Sequence, residues 1–84
     1  MPYNLRENAQ PAYYLVRQQG RTIGVIARSI DVPYIHLRNV LYGDYPPSNE
    51  VRTRLPGLLG VDLKDLFTED MLARAYRGRA RNKK

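Results

Sequence analysis

The segment Thr22–Gly43, TIGVIARSIDVPYIHLRNVLYG, constrains the fold more than any other part of the chain. Ile23, Ile26, Ala27 and Ile30 form one apolar stripe at helical spacing, and Leu37, Val40 and Leu41 form a second. Between the stripes stand Asp31, Val32 and Pro33. Proline lacks an amide donor and turns the residue before it away from helix, so these three do not continue one easily. The segment predicts two short helices joined by a tight turn.

The flanking sequence extends the helical pattern in both directions. Pro11 suits the first position of a helix, Ala12, Leu15, Val16 and Gln19 share one face, and Gly20 supplies a stop. Thr22 caps the next helix, which runs through Ile30 although Gly24 inside it costs up to about 1 kcal/mol relative to alanine. A third helix begins near Pro33 and ends at Tyr42, before Gly43. Asp44-Tyr45-Pro46-Pro47 is a stiff loop. Ser48 then caps a fourth helix with Val51, Leu55, Leu58 and Leu59 on one face, in which Pro56 and Gly57 predict a kink or a break. Gly60 closes it, Asp62 caps a short fifth helix with Leu63, Leu66 and Phe67, and Thr68 caps a sixth piece with Met71, Leu72, Ala75 and Tyr76 on one side. No strand-like alternation and no internal repeat are visible. The expected fold is all-α with five to six short helices: an irregular segment 1–10, a helical domain 11–76 and a basic tail 77–84.

Chain length and residue types narrow the function. A domain of 84 residues buries only about 60% of the surface its unfolded chain exposes, so pairing with a second copy would add stability. With no cysteine and one histidine, disulfides, thiolate metal sites and a zinc site are excluded. Gly20-Arg21-Thr22-Ile23-Gly24 lacks the glycine spacing and the lysine of a phosphate-binding loop. Ser29 and Ser48 have no histidine–carboxylate partner nearby in the sequence, and Asp62 with Asp65 reads as a helix start. An enzyme is therefore not expected, nor is a cofactor or a small-molecule ligand. No apolar run approaches the ~20 residues that cross a bilayer, and MPYNLRENAQ lacks the pattern of a signal peptide. The expected location is the cytoplasm, with no membrane partner.

Charge points to the partner. The net charge is +6, and it is unevenly spread: residues 62–70 are acidic, whereas residues 71–84 hold Arg74, Arg77, Arg79, Arg81, Lys83 and Lys84 without an acid. A basic end behind an acidic segment reads as an arm for a polyanion. Two short helices about a tight turn in such a chain is the layout of a helix-turn-helix DNA reader. If the third helix enters the major groove, Tyr34, Ile35, His36, Arg38 and Asn39 are the base-reading candidates. Asn39 matches adenine, Arg38 matches guanine or a phosphate, and Tyr34 and Ile35 match a thymine methyl. For the phosphate backbone the candidates are Arg21 and Thr22 at the start of the second helix, Asn49 and Arg52 at the start of the fourth, and Arg28, Tyr42 and Arg54.

The order of elements resembles the lambda-repressor-like helix-turn-helix domains of bacteriophage Cro and repressor proteins. The resemblance covers about Leu15 to Phe67. Thr22, Ile26-Ala27, Asp31-Val32, Leu37, Val40 and Gly43 stand at the family's pattern positions, as do Pro47-Ser48. The segment Leu59-Gly60-Val61-Asp62-Leu63-Lys64-Asp65-Leu66-Phe67 is the most specific part of the match. The chain departs from the family at three places. Asp31 replaces the usual turn glycine, Ile23 replaces a glutamine that bonds a phosphate, and Pro56 replaces an ordinary helical residue. The resemblance implies a DNA-binding transcription regulator in a bacterial cell or a phage-infected host. It would act as a homodimer on a palindromic operator, with half-sites about one helical turn apart, and block transcription. Phe67, Met71, Leu72 and Tyr76 are candidates for the dimer surface or, equally, for packing back onto their own domain. An antitoxin-like autorepressor is a variant of the same reading. A protein-binding antirepressor or adaptor that reuses the fold, and a sequence-independent nucleic-acid coater, are readings of other classes.

Overall fold

A computed structural model describes residues 9–76, which form five α-helices and no strand. They are α1 (Pro11–Gln18), α2 (Ile23–Ile30), α3 (Tyr34–Tyr42), α4 (Asn49–Leu59) and α5 (Glu69–Ala73), with a single 3-10 turn at Leu63–Asp65 between the last two. The expectations for residues 1–8 and 77–84, including Arg77, Arg79, Arg81, Lys83 and Lys84, lie outside the described residues.

Side-chain caps start three of the helices. The hydroxyls of Thr22, Ser48 and Thr68 accept from the amides of Val25, Val51 and Met71 at 3.2, 3.4 and 3.2 Å, which satisfies donors that a helix start leaves unpaired. Pro33 opens α3 through its fixed φ of −61°, with no side-chain cap. The turn between α2 and α3 ends the first of them in a Schellman arrangement: the amide of Val32 donates to Ala27 at 3.0 Å and that of Asp31 to Arg28 at 3.3 Å. This closure needs a left-handed residue, and Asp31 supplies it at φ 61° and ψ 50°. Gly43 performs the same service after α3 at φ 88°, where Asp44 donates to Asn39 and Gly43 to Val40.

The core runs through the middle of the bundle. Ile26 from α2, Leu37 and Leu41 from α3, and Val51 and Leu55 from α4 are fully buried, with Leu66 and Phe67 closing one end. α2 packs against both α3 and α4, and α1 packs against α3. Ala27 is buried where α2 runs against its neighbours.

Four expectations are corrected. The expected break at Pro56 does not occur: α4 runs through it, with Val51, Leu55 and Leu59 buried at i, i+4 and i+8 on both sides. That packing offsets the one backbone bond that proline removes. Asp62 stands at the cap position of the 3-10 turn but makes no side-chain cap bond. The dimer candidates do not form an exposed apolar face. Phe67 and Met71, 1% and 4% exposed, belong to the protein's own core, and Leu72 packs against it. α5 ends at Ala73, so Ala75 and Tyr76 lie beyond the last helix.

The beginning and the end of the described chain are stitched together by a residue whose role the sequence pattern does not reveal. Gln10 is buried, and its Oε1 accepts from the amide of Thr68 at 2.9 Å and from its hydroxyl at 3.4 Å. The Gln10 amide donates to Leu41 and the Ala12 amide to Leu66, both at 2.9 Å. The first turn of α1 is thereby anchored to the end of α3 and to the segment before α5.

Candidate nucleic-acid interface

The outer stripe of α3 consists of Tyr34, Ile35, Arg38, Asn39 and Tyr42. Leu37, Val40 and Leu41 point the other way and hold the helix on the core, which leaves this stripe outside. Tyr34 and Ile35 stand side by side in the first turn, 48% and 54% exposed. Arg38, Asn39 and Tyr42 are half-buried.

Two other helix starts converge on that first turn. Gly24, in the first turn of α2, lies under the Tyr34 ring: a methyl group there would meet Tyr34 Cδ1 at 4.0 Å. At the start of α4, the amide of Ser48 donates to His36 Nε2 at 3.3 Å. The starts of α2 and α4, which carry partial positive charge, thus both touch the leading half of α3. Arg21, Thr22, Arg28 and Asn49 are exposed, Arg21, Thr22 and Asn49 close to those two helix starts.

The structure gives four candidate residues internal work instead. His36 is turned toward α4, where its Nε2 accepts the Ser48 bond and its ring packs edge-on against Tyr76 at 4.9 Å. Arg52 is consumed as a clamp. Its Nε donates to Pro47 at 2.9 Å, its Nη1 to Leu72 at 3.0 Å and its Nη2 to Arg74 at 2.7 Å, all at backbone carbonyls. Arg54 Nη1 donates to the carbonyl of Ile30 at 2.9 Å, at the negative end of α2. Arg74 belongs to the described fold, not to a tail: its carbonyl takes the Arg52 bond and its guanidinium lies 3.9 Å from exposed Asp70. Sequence patterns register side-chain periodicity, whereas His36, Arg52 and Arg54 each meet a main-chain group that only the fold brings close.

Two tyrosines, each with an arginine on its far side, pack at the junction of α3 with α1. The Arg38 guanidinium lies over the Tyr42 ring at 5.8 Å, and Arg38 Nη2 donates to Asn39 Oδ1 at 3.5 Å. Tyr42 meets Tyr13 edge-on at 5.7 Å. Arg17 lies 5.7 Å from the Tyr13 ring and donates to its hydroxyl at 3.2 Å. Such cation–aromatic contacts hold long cationic side chains in place. Arg38 Nε is buried and has no hydrogen-bond partner.

Among the described residues, no group of three or more histidine, aspartate or glutamate side chains is placed to hold a metal ion, and no helix is long and apolar enough to cross a membrane. The chain is thus an all-α protein whose most distinctive surface is one helix flanked by two helix starts. Comparisons with protein-family models, curated proteins and solved structures find no match to it.

Proposed function

We propose that this protein is a sequence-specific double-stranded DNA-binding transcription regulator that lays α3 in the major groove. The observation that carries the reading is the convergence of the α2 and α4 starts on the exposed first turn of α3. A helix presented in this way brings its own leading side chains to base edges, while the neighbouring helix starts meet the phosphates on either side. The net charge of +6 supports a polyanionic partner. Tyr34 and Ile35 meet thymine methyl groups, and Arg21, Thr22, Arg28 and Asn49 meet the backbone. The protein acts as a homodimer on a palindromic operator and represses by occupying it, in a bacterial or phage-infected cytoplasm. It has no catalytic role.

Selection from random duplex DNA at two salt concentrations tests this. A short recurring site, symmetric about a centre, supports a dimeric regulator. Binding without a recurring site replaces it with a nucleic-acid coater. No retention of duplex even at low salt replaces it with a protein-docking adaptor that uses Tyr34 and Ile35.

A further inference from the structure

The geometry points to a division of labour on α3: Arg38 reads a guanine, and Asn39 and Tyr42 are positioning residues that aim it, so that Asn39 is not an independent reader of adenine. This rests on the DNA reading above and assigns one base pair of the site.

A guanidinium reads guanine by donating two parallel bonds to O6 and N7, which requires a planar fork held at a fixed angle. Arg38 is held in this manner before any partner arrives. Tyr42 stands one turn further along α3, and the Arg38 guanidinium lies over its ring at 5.8 Å. Tyr42 is in turn fixed by Tyr13 at 5.7 Å, and Tyr13 by the bond and ring contact from Arg17. The support therefore reaches from α1 through two rings to the arginine.

The Arg38 contact to Asn39 Oδ1 is long at 3.5 Å, so it orients the guanidinium and still leaves a better acceptor something to gain. Nε is buried and faces the protein, so the edge left for a base is the pair of terminal nitrogens. Asn39 has the reverse position. Reading adenine takes both its carbonyl and its amide at once, and its Oδ1 already faces Arg38. Arg38 and Asn39 are equally half-buried, and the arginine has the longer reach.

The test uses the full chain and the duplex selected from the random library, with each guanine replaced in turn by 7-deazaguanine, which removes the N7 acceptor alone. One guanine per half-site is expected to lose about tenfold in affinity. Arg38→Ala should abolish that sensitivity. Asn39→Ala and Tyr42→Leu should weaken the same position, and the Arg38→Ala/Asn39→Ala pair should be no worse than Arg38→Ala alone. Tyr42→Phe, which keeps the ring, should retain the sensitivity, and thermal melting of each variant reports folding. The assignment is overturned if Asn39→Ala relaxes an A·T position while the guanine sensitivity stays, or if Arg38→Ala weakens all sequences equally with a shallower salt dependence. Failure of the wild-type protein to retain any duplex overturns the DNA reading itself, and this assignment with it.

Discussion

Arg54, on α4, donates to the carbonyl of Ile30 at the end of α2, 2.9 Å away and at the threshold of the turn that launches α3. The bond places a cation against the negative end of a helix and ties the fourth helix to the junction between α2 and α3. It also separates two roles that an arginine on a basic surface can have. A phosphate contact raises the salt dependence of DNA binding, whereas an internal tie raises stability. Arg54→Met is expected to lower stability by about 1 kcal/mol, or about 4–8 °C in Tm, allowing for the exposure of the side chain. The salt slope of duplex binding should stay unchanged. A slope reduced by about one unit with an unaltered Tm would return Arg54 to the phosphate contacts.

Arg52 has three backbone acceptors and so a larger effect. Replacing it with methionine, which keeps the apolar stem, should cost about 2 kcal/mol by chemical denaturation and loosen the segment after Ala73. Trypsin should then cut at Arg74 faster than in the parent protein. Equal cleavage rates and equal stability would show that the clamp contributes nothing in solution.

Asp31 occupies a backbone conformation that side chains with a Cβ disfavour, and it adds a negative charge at the negative end of α2. Asp31→Gly removes both penalties, partly offset by the greater freedom of glycine in the unfolded chain, for a net gain of about 0.5 kcal/mol. Asp31→Ala keeps the steric penalty and loses the local bonding ability of the carboxylate, so it should cost about 1 kcal/mol. Denaturant midpoints of the three proteins give the order directly. Alanine more stable than glycine at this position would contradict the left-handed geometry.

Arg21 and Ile35 represent the two kinds of contact in the proposed interface. Arg21→Ala should weaken binding to all duplexes alike and reduce the salt slope by about one unit. Ile35→Ala should instead narrow the loss to particular positions, and deoxyuridine in place of thymine at those positions should then have no further effect. Neither change should move the Tm by more than a few degrees, since both side chains are exposed. Uniform losses for both variants would remove Ile35 from base reading.

Much of this architecture was legible in side-chain patterns. Thr22, Ser48 and Thr68 cap the helices where short hydroxyl residues precede apolar periodicity, and Gly20, Gly43 and Gly60 mark the ends. Local chemistry determines those features, so local sequence carries them. Gln10, His36, Arg52 and Arg54 were not readable in the same way, because each meets a main-chain amide or carbonyl brought close only by the tertiary fold. Any residue presents such groups, so no pattern of residue types reveals them. Pro56 was misleading for a related reason. Propensity is a local quantity, and burial of Val51, Leu55 and Leu59 around it is not.

The bond from Thr68 to Gln10 spans 58 positions of the chain. Closing so long a loop carries an entropic cost that helix contacts between sequence neighbours, such as α2 with α3, avoid. α1 packs on α3, but its first turn is anchored only where Leu66 and Thr68 join it. The helix that steadies Tyr42 through Tyr13 is thus held partly by the last third of the chain, although the outer stripe of α3 lies in the middle third.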